Sequence, residues 1–177
     1  MNWNLKTTHK GNPISEPVFV ISRVFDAPRL VVWNACTRPE RMTHWWGPKG
    51  TIVRVAKMDF RVGGTYHCCM KSPDGSEMWG KFAYREINEP EKIVFINSFS
   101  DENGGLARHP MVETWPLETL STFSFAEKEG KTLFTVSWTP LSPSEAERKT
   151  FEDGMELMKK GWTGTLDQLT VYLERNK

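Results

Sequence analysis

The stretch FEDGMELMKKGWTGTLDQLTVYL, Phe151 to Leu173, decides how the rest of the chain is read. Within it Phe151, Met155, Met158, Trp162, Leu166, Leu169 and Leu173 recur at spacings of four, three, four, four, three and four. That rhythm puts one apolar stripe on one face of an α-helix. A start signal stands upstream, with Ser142 as N-cap, Pro143 at the first helical position and Glu145 closing a capping box. A helix from Ser144 to Leu173 is roughly 45 Å long at about 1.5 Å per residue. Burying such a stripe contributes roughly 10–20 kcal/mol at about 1.5–3 kcal/mol per side chain, so it must lie against a large partner surface.

Working outward, most of what precedes the helix reads as strands. Val18 to Phe25 is β-rich, and Asp26-Ala27-Pro28 opens a short helix carrying Leu30, Val31 and Trp33. Thr37-Arg38-Pro39-Glu40 has the form of a second capping box, starting a helix that runs out at Trp45-Trp46-Gly47-Pro48. Further strands are predicted at Thr51–Met58, Thr65–Lys71, Glu77–Ile87, Lys92–Ser100, Leu117–Ala126 and Lys131–Trp138. Gly63-Gly64, Pro73-Asp74-Gly75 and Asn88-Glu89-Pro90 supply turns, and Asp101–Pro116 is a long loop. Hairpin connections make neighbours antiparallel. The expected fold is α+β: a helix-grip arrangement in which a curved antiparallel sheet of about seven strands wraps the C-terminal helix, with two short helices after the first strand. Residues 1–14 read as a polar tail and 15–175 as one domain.

Composition narrows the function classes. With 23 basic and 22 acidic residues the chain has no electrostatic footprint for nucleic acid or an anionic membrane. Three cysteines, two adjacent, make no disulfide framework. No apolar run is long enough for a signal peptide core or a bilayer span, so a cytoplasmic setting is expected. Eight Trp, ten Phe and eight Met are an unusual complement; such side chains fill cores, the simpler reading of any one of them, and also line adaptable pockets.

The motifs Arg23-Val24-Phe25-Asp26-Ala27-Pro28, Val32-Trp33, Thr37-Arg38-Pro39-Glu40, Trp45-Trp46-Gly47-Pro48 and Asp59-Phe60-Arg61-Val62-Gly63-Gly64 occur in that order. They are followed by Pro73-Asp74-Gly75, Glu86-Ile87-Asn88-Glu89-Pro90-Glu91-Lys92-Ile93 and Gly161-Trp162 with Leu166 and Leu169. In order and spacing they resemble the bacterial branch of the activator of heat-shock-protein ATPase homologue-like family, within the START-like helix-grip superfamily. The resemblance covers about residues 15–175. It implies a seven-stranded antiparallel sheet around the last helix with a cavity between them. For activity it implies a spread, from ligand carriers and sequestering resistance proteins to chaperone ATPase stimulators and cyclase relatives, and a fold does not choose among these.

Residue by residue, the chemistry is sparse. His67-Cys68-Cys69, with Cys36 and His44, invites a metal site, but adjacent strand cysteines point to opposite faces and cannot grip one ion. They read as buried thiols, and neither a metal nor a cofactor is expected. There is no Gly-x-Ser-x-Gly and no glycine-rich phosphate loop, so no catalytic residue is named. Arg23, Glu77, Asn97, His109 and Glu113 are polar groups that acid–base work in the cavity could draw on, and His109 and Glu113, in the long loop, are more simply read as solvated loop charges. Asp59 and Arg61 should pair across a strand face beside the Gly63-Gly64 corner, and one of Trp45 and Trp46 should cap the core while Trp46 faces the cavity. Gly154 and Gly161 lie seven apart on one flank of the stripe, and since a helical glycine costs about 1 kcal/mol relative to alanine, sheet side chains or a ligand should approach the backbone there, close packing by bulky strand aromatics being the simpler account.

The period-two sets Phe95/Phe99, Phe123/Phe125 and Phe134/Val136/Trp138 should face the helix, whereas no clean alternation fixes the side of Trp79 or Trp115. The expected cavity lining is Trp46, Phe95, Phe99, Trp115, Phe123, Trp138, Met155, Met158 and Trp162. The function this supports is non-catalytic binding of a small hydrophobic or aromatic ligand. The alternatives are a cyclase- or hydrolase-like enzyme acting on a cavity-bound substrate, and a protein-interaction module stimulating a chaperone ATPase. The last is disfavoured because the extra N-terminal domain of the eukaryotic activators has no counterpart here. A homodimer is compatible with the chain but not dictated by it.

Overall fold

The computed structural model describes residues 16–176, and the expected N-terminal tail lies outside them. The chain runs β1 (Phe19–Phe25), α1 (Arg29–Thr37), α2 (Pro39–Met42), β2 (Ile52–Met58), β3 (Thr65–Lys71), β4 (Glu77–Asn88), β5 (Lys92–Ser100), β6 (Leu106–Ala107), β7 (Glu118–Lys128), β8 (Lys131–Pro140), α3 (Glu145–Asp153) and α4 (Met155–Arg175). The strands form one open sheet in the order β1-β8-β7-β5-β4-β3-β2, and every pairing is antiparallel. Two-residue β6 is an eighth strand inside the long loop, extending the sheet on β5 at Phe99 and Ser100, beyond the end of its pairing with β7. Two residues carry no period, which is why the loop reads as unbroken in the sequence. No helix among the described residues is long and apolar enough to cross a membrane.

The apolar stripe of α3 and α4 is buried against the sheet. Phe151, Leu166, Leu169 and Leu173 are almost fully enclosed, and Met158 and Trp162 nearly so. The helix is divided at Gly154, although the ladder is handed on by Gly154 N–H donating to Thr150 O at 3.0 Å and Met158 N–H to Gly154 O at 2.9 Å. The cap is Ser144 rather than Ser142: its hydroxyl accepts from Glu147 N–H at 3.2 Å, and Glu147 accepts the Ser144 N–H at 2.9 Å. Both serines satisfy the box pattern. The second wins because Ser142 sits in the left-handed region at φ 45°, and because Glu147 is also gripped by Arg108 from the long loop. The Arg108 guanidinium, with the Ser144 N–H, holds the Glu147 carboxyl below its usual pKa.

The other predicted capping box is not made. Thr37 donates its hydroxyl to Trp33 O at 3.0 Å inside the last turn of α1, so Arg38 becomes the N-cap of α2 and Pro39 its first residue. The second helix then lasts four residues and yields to turns before Trp45. A local bond within one helix has outcompeted a cap for the next.

The Asp59–Arg61 pair forms at 2.9 Å beside the glycine corner. There Gly64 N–H donates to Arg61 O at 2.8 Å, and a Cβ on Gly64 would lie 2.1 Å from the Asp59 carbonyl oxygen. Backbone cannot swing away as a side chain can. Gly64→Ala is therefore expected to lower the unfolding free energy by about 1–3 kcal/mol in urea titrations, as overpacking does elsewhere. An unchanged midpoint would mean that the corner is looser than this geometry.

Candidate functional site: a cleft between sheet and helix

Trp45-Trp46-Gly47-Pro48 follows α2 and is pinned to α4 from two sides. Gln168 Nε2 donates to Trp45 O at 3.0 Å and to Gly47 O at 2.8 Å, and the Thr165 hydroxyl reaches Gly47 O at 3.0 Å. Gly47 has φ 105°, and a Cβ there would strike Thr51 Oγ1 at 2.6 Å and Met70 Sδ at 2.9 Å, so only glycine lets this corner close. The two indoles diverge. Trp45 is buried and donates Nε1–H to Ala35 O at 2.9 Å. Trp46 meets Trp45, Phe82, Trp162 and Phe123 at centroid distances of 5.6, 5.3, 5.6 and 6.3 Å.

Beyond Trp46 the sheet and α4 leave a cleft of about 210 Å³. Cys68 and Met70 of β3, Met78, Gly80 and Phe82 of β4, Asn97 and Phe99 of β5 and Trp138 of β8 form one wall. Met158, Gly161, Trp162 and Thr165 of α4 form the other. The rings interlock edge to face, as Trp138 with Trp162 at 5.5 Å, which fixes the walls without filling the space. Gly161 stands against that space: an added Cβ would meet nothing within 4 Å.

Among the described residues no carboxylate, lysine, arginine or histidine lines the cleft. Burial pushes the Cys68 thiol up to about 12, so it stays protonated and behaves as a small apolar group with a weak donor. Trp138 carries a buried indole N–H with no acceptor among the described residues. Such a wall can hold an apolar or aromatic body and offer it a few hydrogen bonds.

Of the nine residues expected to line a cavity, Trp46, Phe99, Trp138, Met158 and Trp162 do border this cleft. Phe95 and Phe123 lie behind it in a closed aromatic layer, Phe95 stacked on Phe82 at 4.2 Å and set edge-on to Phe123 at 4.9 Å. Met155 packs half-buried at the margin of the core. Trp115 packs on Phe151 at 5.7 Å and, with its ring 3.3 Å from where a Gly154 Cβ would stand, accounts for that glycine. The contribution of β3 and β4 escaped the sequence reading. The alternation of Tyr66, Cys68 and Met70 with Met78, Gly80 and Phe82 carries it, but Trp79 between them obscures which side faces in.

A second, shallower groove of about 520 Å³ adjoins the cleft and shares Pro48, Phe99, Met158 and Gly161 with it. His109 lines this groove, edge-on to Phe99 at 4.6 Å. Its Nδ1 accepts the backbone N–H groups of Met111 and Val112 at 3.0 and 3.1 Å, and burial lowers its pKa. Arg23 instead pairs with Asp167, Glu77 with Arg54 at 3.0 Å beside Cys69, and Glu113 is exposed. Cys69 thus meets Glu77 while Cys68 faces the cleft, the opposed faces that strand geometry requires.

The sequence profile described as Activator of Hsp90 ATPase homolog 1-like protein matches residues 26–174. Solved structures share the architecture. A protein from Arthrobacter aurescens is 26% identical, with 93% of each chain covered and a TM-score of 0.71. A protein from Nitrosomonas europaea is 21% identical, covering 90% of this chain and 95% of its own, with a TM-score of 0.71. An AHSA1 protein from Silicibacter pomeroyi is 18% identical, covering 91% of this chain and 100% of its own, with a TM-score of 0.65. Curated protein sequences gave no match.

Proposed function

The chain belongs to the Activator of Hsp90 ATPase homolog 1-like family, and on that footing we propose that it holds a small apolar or aromatic molecule in the sheet–helix cleft without transforming it. One observation carries the reading: with the core closed by some of the largest side chains in the chain, an apolar space of about 210 Å³ is left between Trp46, Trp138, Trp162 and Gly161. Closely packed interiors hold few voids larger than a water molecule. A space of this size that runs along a helical glycine is bordered by atoms that gain contacts only when something enters. At the lower edge of the roughly 300–1,000 Å³ spanned by small-molecule sites, it suits a ring system or a short chain rather than a lipid.

The enzymatic alternative finds no charged group inside the cleft among the described residues, and Cys68 is held protonated. Stimulation of a chaperone ATPase is the reading that the family description names. Native mass spectrometry of freshly purified protein tests the proposal. A reproducible small-molecule adduct, released when the sample is denatured, is expected. A clean apo mass, together with no thermal shift from a panel of naphthalene and indole derivatives, would sink it.

A further inference from the structure

The outer groove differs from the cleft in its charge. Lys49 and Lys160 line it, no carboxylate does, and neither lysine makes an ion pair among the described residues. Helix geometry brings the two together. Lys160 and Gly164 are one turn apart on the same face of α4, and the Lys49 Cβ and backbone nitrogen lie 3.6 and 3.7 Å from where a Gly164 Cβ would stand. Two like charges are thus gathered over an apolar mouth without a counter-ion, an arrangement that by itself is unfavourable.

His109 adds a fixed donor. Because Nδ1 accepts two backbone N–H groups, the proton of the neutral ring sits on Nε2, and no protein acceptor takes it among the described residues. Two lysines and one imidazole N–H therefore line the groove, which has Phe99, Met158 and Gly161 in common with the apolar cleft. Resting on the ligand-binding reading above, we propose that the outer groove is a headgroup site: the molecule held is an amphipathic carboxylic acid, its ring or short chain inside the cleft and its carboxylate at Lys49, Lys160 and His109. Charge-assisted hydrogen bonds from lysine to carboxylate are the stronger kind, and a protein surface beside an apolar wall strengthens them further.

The test is calorimetric titration of the full chain with 2-naphthoate and with its neutral counterpart 2-naphthylmethanol. The acid is expected to bind about tenfold tighter at low ionic strength, and that preference should shrink as salt is added. In the double variant Lys49→Gln, Lys160→Gln the preference should vanish while the alcohol binds as before. Both substitutions are at exposed positions, so the fold is retained. If wild type binds acid and alcohol equally, or if the double variant keeps the preference, the headgroup site is wrong and the cleft reading stands. If neither probe binds, both are wrong.

Discussion

Trp46→Ala is expected to lower the unfolding free energy by about 3–5 kcal/mol, the range for removing a large aromatic side chain from a core. Although it borders the cleft, Trp46 is the ring on which the surrounding cluster closes, touching Trp45, Phe82, Phe123 and Trp162. Phe82 and Phe123 in turn pack on Phe95, and Trp162 on Trp138. Deleting the indole would open the cleft into the closed aromatic layer behind it and strip contacts from both walls at once. Urea denaturation reads the effect as a large fall in midpoint with little change in slope. Trp46→Phe, which keeps a ring in the same place, should lose far less. A cost below about 1 kcal/mol for the alanine variant would show that the ring stands over open space and does not join the walls. The expected size of the loss also disqualifies Trp46→Ala as a probe of binding, since any fall in affinity would be entangled with unfolding.

The parts of the fold that were legible in the sequence are those with a repeated local signal. The stripe from Phe151 to Leu173 repeats through more than five turns, and β3 and β5 begin and end where their flanking turn residues say they should. Single-residue decisions were less legible, because two partners competed for the same group. Ser142 and Ser144 both head a capping box, and what separates them is the left-handed backbone of Ser142 and the Arg108 contact to Glu147, made across the fold. Thr37 had a choice between capping α2 and closing α1. The site is a harder case. A cleft is a shortage of atoms, and no residue encodes it alone. Phe95 and Phe99 share a strand and a face, yet one is sealed against Phe82 and the other borders the opening. What distinguishes them is how far each lies along α4, which is a property of the assembled layers. Bulges shift the register between β2 and β3 at Val53/Val55 and between β4 and β5 at Tyr84/Glu86, so counting by twos from a neighbouring strand misplaces side chains there.

Gly161 is the position where sequence and cleft do meet, and substitutions there separate stability from binding. A glycine inside a helix gives up about 1 kcal/mol relative to alanine. At Gly154 steric fit explains the choice: an added Cβ would come 3.3 Å from the Trp115 ring. At Gly161 nothing lies within 4 Å, so packing gives no reason to forgo the helical gain. Gly161→Ala is therefore expected to stabilise the protein by about 1 kcal/mol, a rise in Tm of about 2–4 °C for a chain of this size. Gly161→Leu should fold at least as well as wild type, since leucine is a strong helix former and its side chain enters an apolar space. The same side chain occupies the room a ligand would need. Forcing both into it costs about 1–3 kcal/mol, which weakens a naphthalene-type probe roughly tenfold to a hundredfold. Thermal melts and calorimetric titration on the same preparations give both numbers. A leucine variant that is stable but no longer binds would tie the cleft to the ligand. A stable variant that binds as wild type would move the binding site elsewhere, and a destabilised one would mean that the space beside Gly161 is already filled.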